Sequence, residues 1–225
     1  MIGVLGGMGP ESTAYTYVRM IRYCQEKYGA VRDSDYPPIL IYNMPILDVV
    51  GQEGSEKELL PLLAQGILKL KGAGADFCII PCNSVQKFVP KLREDATMLS
   101  IVEETLKEAK KSGIKKWALL GTNTTVKSRI YQEAFGKAGF GIVIPSDAGQ
   151  AKVTGAIMAI LSGKNFGKAR ETLLDVLGPL KSRGAEGAIL ACTDLPIVLQ
   201  DAEGMKLLDT ADIIARAAVD YYRRS

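Results

Sequence analysis

Short apolar segments alternate with longer amphipathic segments along most of the chain. The apolar segments include IGVL (2–5), PILIYN (38–43) and DFCIIP (76–81). Between them, leucines recur at helical spacing, as in EKELLPLLAQGILKLKGAG (56–74). Apolar strands that alternate with amphipathic helices are typical of parallel sheets covered on both faces. The pattern therefore predicts an α/β fold with mainly parallel sheets.

The same pattern begins again in the second half of the chain. GADFCIIPCNS (74–84) and GAEGAILACTD (184–194) share a Gly-Ala pair, an acid, an apolar run and a cysteine, and the two cysteines are 110 positions apart. We predict two similar α/β domains, residues 1–100 and 101–204, without a flexible linker between them. The final segment, 205–225, repeats the element after Ser100, so we expect its helix to pack back on the first domain.

Composition and charge narrow the class of protein. The chain has 225 residues, 28 of them basic and 25 acidic, with a net charge of +3 and the basic residues scattered, so no nucleic-acid partner is expected. No apolar run reaches the roughly eighteen residues of a membrane span, and the opening lacks the basic start of a signal peptide. These features predict a cytoplasmic protein whose four cysteines stay reduced.

The chain contains no histidine, which excludes Ser-His and Cys-His dyads and histidine-ligated metal. Two cysteines, Cys82 and Cys192, end corresponding apolar runs, and ligands of α/β proteins bind at the carboxyl ends of strands. If the two halves face each other about a pseudo-twofold axis, the thiols flank one cleft. One thiolate then removes a proton from one face of a carbon, and the other thiol returns a proton to the opposite face, because a cysteine pKa of about 8.5 suits this exchange. Asn83, Ser84 and Thr193 supply donors for a substrate carboxylate.

Four motifs carry a resemblance to a known family. They are IGVLGGMGPESTAYTY (2–17), PCNSVQ (81–86), LLGTNTTVKSRIY (119–131) and ACTDLP (191–196). Together they resemble the cofactor-independent aspartate/glutamate racemases over essentially the whole chain. The resemblance implies two four-stranded α/β domains with the active site between them, no pyridoxal phosphate or other cofactor, and often a homodimer.

The resemblance also implies roles for individual residues. Cys82 and Cys192 are the two catalytic bases, and no metal is involved. The remaining candidates bind the amino-acid substrate: Asn83, Ser84 and Thr193 beside the cysteines, Thr122 and Thr125 in the middle loop, and Met8, Ser12 and Thr13 in the N-terminal loop.

Several positions depart from the family pattern. Ser84 replaces threonine, Val85 and Gln86 replace Ala-His, and Asp194 replaces glutamate. Aspartate-specific members carry an arginine in the loop after the second strand, whereas no arginine occurs here between positions 32 and 93. We therefore expect weak aspartate turnover or another preferred side chain, with Gln52 and Lys164 as further candidate substrate contacts.

Other interpretations of these residues stay open at this point. Cys24 and Cys78 are interpreted as core residues. Thr122 and Thr125 also fit helix caps, and Asp194 fits either a cap or a residue that orients Cys192. The whole chain also fits a related isomerase or decarboxylase of a small carboxylic acid, or a non-catalytic small-molecule binder.

Overall fold

The computed structural model describes residues 1–46 and 56–224. Their strands are β1 (Ile2–Gly6), β2 (Ile39–Asn43), β3 (Phe77–Ile79), β4 (Lys116–Gly121), β5 (Gly141–Val143), β6 (Gly187–Ala191) and β7 (Lys206–Asp209). Their helices are α1 (Pro10–Tyr28), α2 (Glu56–Gly72), α3 (Val89–Leu92), α4 (Ile101–Lys111), α5 (Asn123–Ser128), α6 (Ile130–Lys137), α7 (Asp147–Leu161), α8 (Phe166–Ser182) and α9 (Thr210–Arg224). The chain divides into two compact units, Met1–Glu104 with Ala211–Ser225, and Thr105–Thr210.

Unit 1 is built on a parallel sheet in the order β2-β1-β3. One face of this sheet packs on α2 through a cluster that includes Leu63 and Ile67. The other face packs on α1 and α9 through a cluster that includes Met20 and Ile214. Both faces of the sheet are therefore covered by apolar side chains, and the predicted α/β fold with parallel sheets is confirmed.

The four-stranded sheet predicted for the first domain is wrong for the described residues, where the sheet has three strands. The apolar segment MLSIV (98–102), which the alternating pattern also predicts as a strand, contributes a single bridge, between Met98 and Cys78. Helix α4 already begins at Ile101, because Ser100 and the acidic first turn favour a helix start, and the Ser100 hydroxyl accepts a bond from Glu103 N at 3.5 Å. The residues that favour a helix start therefore end the extended segment before Ile101, although the apolar residues alone predict a strand to Val102.

Unit 2 has the predicted four-stranded parallel sheet, in the order β5-β4-β6-β7. Its two central strands are buried throughout except for Lys116, as expected for strands covered on both faces. The register places Gly121 beside Ala191, the last residues of β4 and β6. The segments that follow these two strands therefore start side by side.

Helix α9 joins the core of unit 1 although it follows unit 2 in the chain. Ile214, Ala218 and Val219 are buried in the same cluster as Ile2 and Val4 of β1. Nearer the surface, Asp220 accepts bonds from Tyr23, Lys27 and Tyr28 of α1 at 3.1, 3.0 and 2.8 Å. A screen of the described helices for segments able to cross a membrane finds no candidate.

Candidate active site

Cys82 follows β3 in a tight turn at the carboxyl edge of the unit 1 sheet. Its backbone N–H donates to Ile80 O at 2.8 Å, which closes the turn around Pro81. A 3-10 helix, Asn83–Phe88, starts directly after it. Cys82 is 4% exposed, and Asn83 and Ser84 are buried beside it. The first cysteine motif therefore lies at the strand end that the sequence predicts.

The N-terminal glycine loop lies at the same sheet edge, because β1 is the parallel neighbour of β3. A side chain at Gly6 would place its Cβ 2.3 Å from the Thr13 methyl, and Gly7 has a positive φ of 96° close to Met44. The Thr13 hydroxyl accepts from Gly7 N at 3.0 Å and donates to Gly9 O at 2.8 Å, and the Ser12 hydroxyl donates to Gly9 O at 3.0 Å. These two hydroxyls hold the loop in shape.

The same unit 1 cluster brings Met8 and Cys82 together. Met8 is almost fully buried, so within unit 1 the candidates Met8, Ser12, Thr13, Asn83 and Ser84 gather near the ends of two adjacent strands. Gln52, the remaining candidate of this half, lies outside the described residues.

Cys192 follows β6 at the carboxyl edge of the unit 2 sheet. Its thiol donates to Asp194 Oδ2 at an S···O distance of 3.6 Å. Cys192 is 6% exposed, and Thr193 and Asp194 are buried. Of the two interpretations left open for Asp194, the contact supports a residue that orients Cys192. As the residue before the 3-10 helix Leu195–Ile197, Asp194 makes no side-chain cap bond.

The threonine loop lies beside Cys192, because Gly121 and Ala191 are register partners. Thr122 caps α5: its hydroxyl accepts from Thr125 N at 3.1 Å and lies 3.0 Å from the Thr125 hydroxyl. The capping interpretation is therefore confirmed for Thr122. Unit 2 thus brings Thr122, Thr125, Cys192 and Thr193 to one sheet edge.

Lys164 lies apart from these residues in the turn between α7 and α8. Its backbone N–H donates to Ala159 O at 3.1 Å, and its side chain is exposed. Within the part of the chain that the structure describes, the Lys164 side chain makes no ion pair or hydrogen bond. Its role in substrate binding stays a prediction.

The other two cysteines are core residues, as interpreted from the sequence. Cys24 and Cys78 are fully buried. Burial raises the pKa of the Cys78 thiol to about 11, and burial also raises the pKa of Cys24 against the lowering effect of Arg223. Both groups are thus neutral thiols at ordinary pH, unlike a thiol that must act as a base.

One residue that sequence reasoning missed is Gln86. Its side chain is almost fully buried and hydrogen-bonds to the backbone on both sides of Pro81. The only signal in the sequence is that Val85 and Gln86 stand where the family pattern has Ala-His. Among the described residues, no group of three or more His, Cys, Asp or Glu side chains is placed to hold a metal ion.

Several known proteins with similar sequences or folds are named as amino-acid racemases or their homologues. The family model described as Asp/Glu/Hydantoin racemase matches residues 5–218. Broad specificity amino-acid racemase RacX of Bacillus subtilis (strain 168) is 35% identical over 225 residues, which cover 99% of this chain and 98% of RacX. Among solved structures, Picrophilus torridus aspartate racemase has a TM-score of 0.84 at 25% identity, with 98% of this chain and 93% of that one covered. An aspartate racemase homologue from Pyrococcus horikoshii OT3 has a TM-score of 0.82 at 27% identity, with 99% and 98% covered.

The two α/β units share the fold of solved aspartate racemases and their homologues, and together with the family match they define a racemase-type enzyme. The chain belongs to the Asp/Glu/Hydantoin racemase family. The resemblance noted in the sequence is confirmed, and with it the prediction that the protein is an enzyme of the amino-acid racemase class.

Proposed function

We propose that the protein inverts the α-carbon of amino acids by two-base proton transfer between Cys82 and Cys192, without a cofactor. The observation that carries the proposal is the equivalent placement of two nearly buried thiols at strand ends of the two units. Family membership supports it, as does the burial of the other two cysteines.

The proton balance is simple. One cysteine, as thiolate, takes the α-proton and becomes a thiol, while the other, as thiol, gives its proton to the opposite face and becomes a thiolate. Exchange with solvent resets the pair. The proposal requires both thiols to reach one α-carbon. Asn83, Ser84, Thr122, Thr125 and Thr193 are the proposed donors for the substrate's carboxylate and for charge that develops on it.

Asp194 is proposed as the partner that handles the Cys192 proton. Its carboxylate already accepts the thiol hydrogen and is itself buried. A carboxylate in this position orients the S–H bond. In the direction in which Cys192 acts as the base, the carboxylate takes the thiol proton first, and the resulting thiolate then removes the α-proton.

The proposed substrates are amino acids other than aspartate, with broad side-chain tolerance. Two facts support this: residues 33–92 contain no arginine for a second carboxylate, and the similar protein from Bacillus subtilis is named a broad specificity amino-acid racemase.

We also propose a homodimer in the cytoplasm, where both thiols would stay reduced. Light scattering on a sizing column tests the dimer, and a monomer mass at working concentration would contradict it.

Single-cysteine variants in deuterated water test the mechanism. Cys82→Ala and Cys192→Ala each lose racemisation, because inversion then lacks its proton donor. Each surviving thiol still exchanges the α-hydrogen of one enantiomer, so the two variants incorporate deuterium into opposite enantiomers. Mass spectrometry of D- and L-amino acids measures this, with Cys24→Ala as the control that retains racemisation. Exchange of the same enantiomer by both variants, or near wild-type racemisation by either, contradicts the two-thiol mechanism.

A further inference from the structure

The turn that carries Cys82 is held by one buried amide side chain. Gln86 Nε2 donates to Ile80 O at 3.0 Å and to Cys82 O at 3.2 Å, and Gln86 Oε1 accepts from Ile101 N at 2.9 Å. Gln86 is 4% exposed, so water cannot easily replace these bonds. The amide thus connects the backbone of the cysteine motif to the first residue of α4.

This bonding pattern specifies glutamine. Two carbonyl oxygens need two N–H donors, and one N–H needs an acceptor, which a single primary amide provides in one orientation. Glutamate has no donor for the carbonyls. Methionine has a similar shape but makes none of these three bonds. Since the Cys82 carbonyl is one of the three groups, the thiol's backbone depends directly on Gln86.

In unit 2, a different side chain hydrogen-bonds to the backbone just before the cysteine. Leu190 stands two positions before Cys192, as Ile80 stands before Cys82, and its carbonyl accepts from the Thr210 hydroxyl at 2.7 Å. The position that corresponds to Gln86 is Pro196, which has no donor. The two cysteines therefore have separate anchors, in different places of the repeated sequence.

We propose that Gln86 is a positioning residue for Cys82, and that it acts on this thiol and not on Cys192. The proposal rests on the two-thiol function. Gln86 fixes the direction of the thiol through the backbone of the turn. Proton transfer at carbon depends steeply on such alignment, so the loss of Gln86 slows the step that Cys82 performs.

Double variants separate this effect from general destabilisation. Gln86→Met is added to Cys192→Ala, in which only Cys82 exchanges the α-hydrogen, and to Cys82→Ala, in which only Cys192 does. Deuterium incorporation falls about tenfold or more in the first background and changes less than about twofold in the second. Thr210→Val gives the reverse selectivity. Gln25→Met, which alters an exposed glutamine, changes neither.

An equal loss in both backgrounds, or no loss in either, overturns the positioning role. A second measurement does not depend on racemase activity: the pH profile of iodoacetamide modification, followed separately for each cysteine by peptide mass spectrometry. Gln86→Met shifts the profile of Cys82 and leaves that of Cys192 in place. If the single-cysteine variants exchange no hydrogen, the proposed function fails, and this profile alone decides the role of Gln86. An unchanged Cys82 profile then refutes it.

Discussion

At the scale of single residues, the four cysteines differ in their surroundings: two are core residues and two lie at strand ends. Cys24 and Cys78 are enclosed by apolar side chains, and burial raises their pKa values. Cys82 and Cys192 keep a small exposed fraction at the sheet edges, and Cys192 contacts a carboxylate. The sequence distinguishes them only by position, since the two strand-end cysteines recur at corresponding places in the repeat.

Alkylation makes this difference measurable. Iodoacetamide is expected to modify Cys82 and Cys192 well before Cys24 and Cys78, because the thiolate is the reactive form and the latter pair is buried and neutral. Peptide mass spectrometry over a time course reports each site, and saturating substrate should slow modification of the first two only. Full racemase activity after complete modification of Cys82 and Cys192 would show that neither thiol is needed.

Asp194→Asn tests the carboxylate beside Cys192. The amide keeps the shape but cannot take up the thiol proton, so kcat for racemisation is expected to fall about tenfold to hundredfold. Exchange in the Cys82→Ala background, which relies on Cys192, falls with it, whereas exchange in the Cys192→Ala background does not. Asp175→Asn, which changes an exposed carboxylate of the same unit, is the matched control. Unaltered kcat in Asp194→Asn would leave the contact without a catalytic role.

At the scale of elements, α1 and α9 are joined by one acidic residue. Burial opposes ionisation of Asp220, but hydrogen bonds from Tyr28, Lys27 and Tyr23 outweigh it, so its pKa lies below the ordinary value. A lowered carboxyl pKa stabilises the fold above the unfolded value of about 3.9, and this contribution disappears as the pH falls through the native pKa. The contact therefore strengthens the packing of α9 on unit 1 at neutral pH.

Asp220→Asn is expected to lower the free energy of unfolding by about 1 kcal/mol at pH 7, a modest value because solvent screens the partly exposed pair. The difference between wild type and variant shrinks as the pH falls below about 4. Urea unfolding at several pH values measures it, and Asp201→Asn, whose carboxylate is largely exposed, serves as the control. A difference that stays constant down to pH 3 would exclude the carboxylate's charge as its source.

The sequence predicts most strands and helices correctly because, in these segments, the local pattern of apolar residues agrees with the packing of the folded chain. Apolar runs become the buried strands β1 and β6 and the part of β4 that follows Lys116, and the two strand-end cysteines follow from the repeat. Prediction fails where two local signals compete, as at Met98–Val102, where a helix start overrides an apolar strand pattern. It also fails for Gln86, because its partners Ile80 and Ile101 become neighbours only when the chain folds.

At the scale of the whole molecule, the distribution of arginines along the chain affects which substrates it can bind. Without an arginine in residues 33–92, a second substrate carboxylate loses a bidentate partner, which typically costs about 1.5–3 kcal/mol, or roughly tenfold to hundredfold in affinity. We therefore expect kcat/KM for aspartate to lie well below that for amino acids with neutral side chains. A chiral chromatography assay over a panel of L- and D-amino acids measures this. Efficient turnover restricted to aspartate would require another cation, for which Lys164→Met is the direct test.

The position of α9 in the chain has a consequence for protein synthesis. The segment of unit 1 up to Glu104 leaves the ribosome before unit 2, but its core lacks Ile214, Ala218 and Val219 until more than a hundred further residues have been translated. Unit 2 is continuous from Thr105 to Thr210, so the four strands of its sheet and helices α7 and α8 are all translated before α9. The nascent chain thus begins unit 1 first and completes it last, leaving the β1–β3 face that α9 covers open to chaperones during translation.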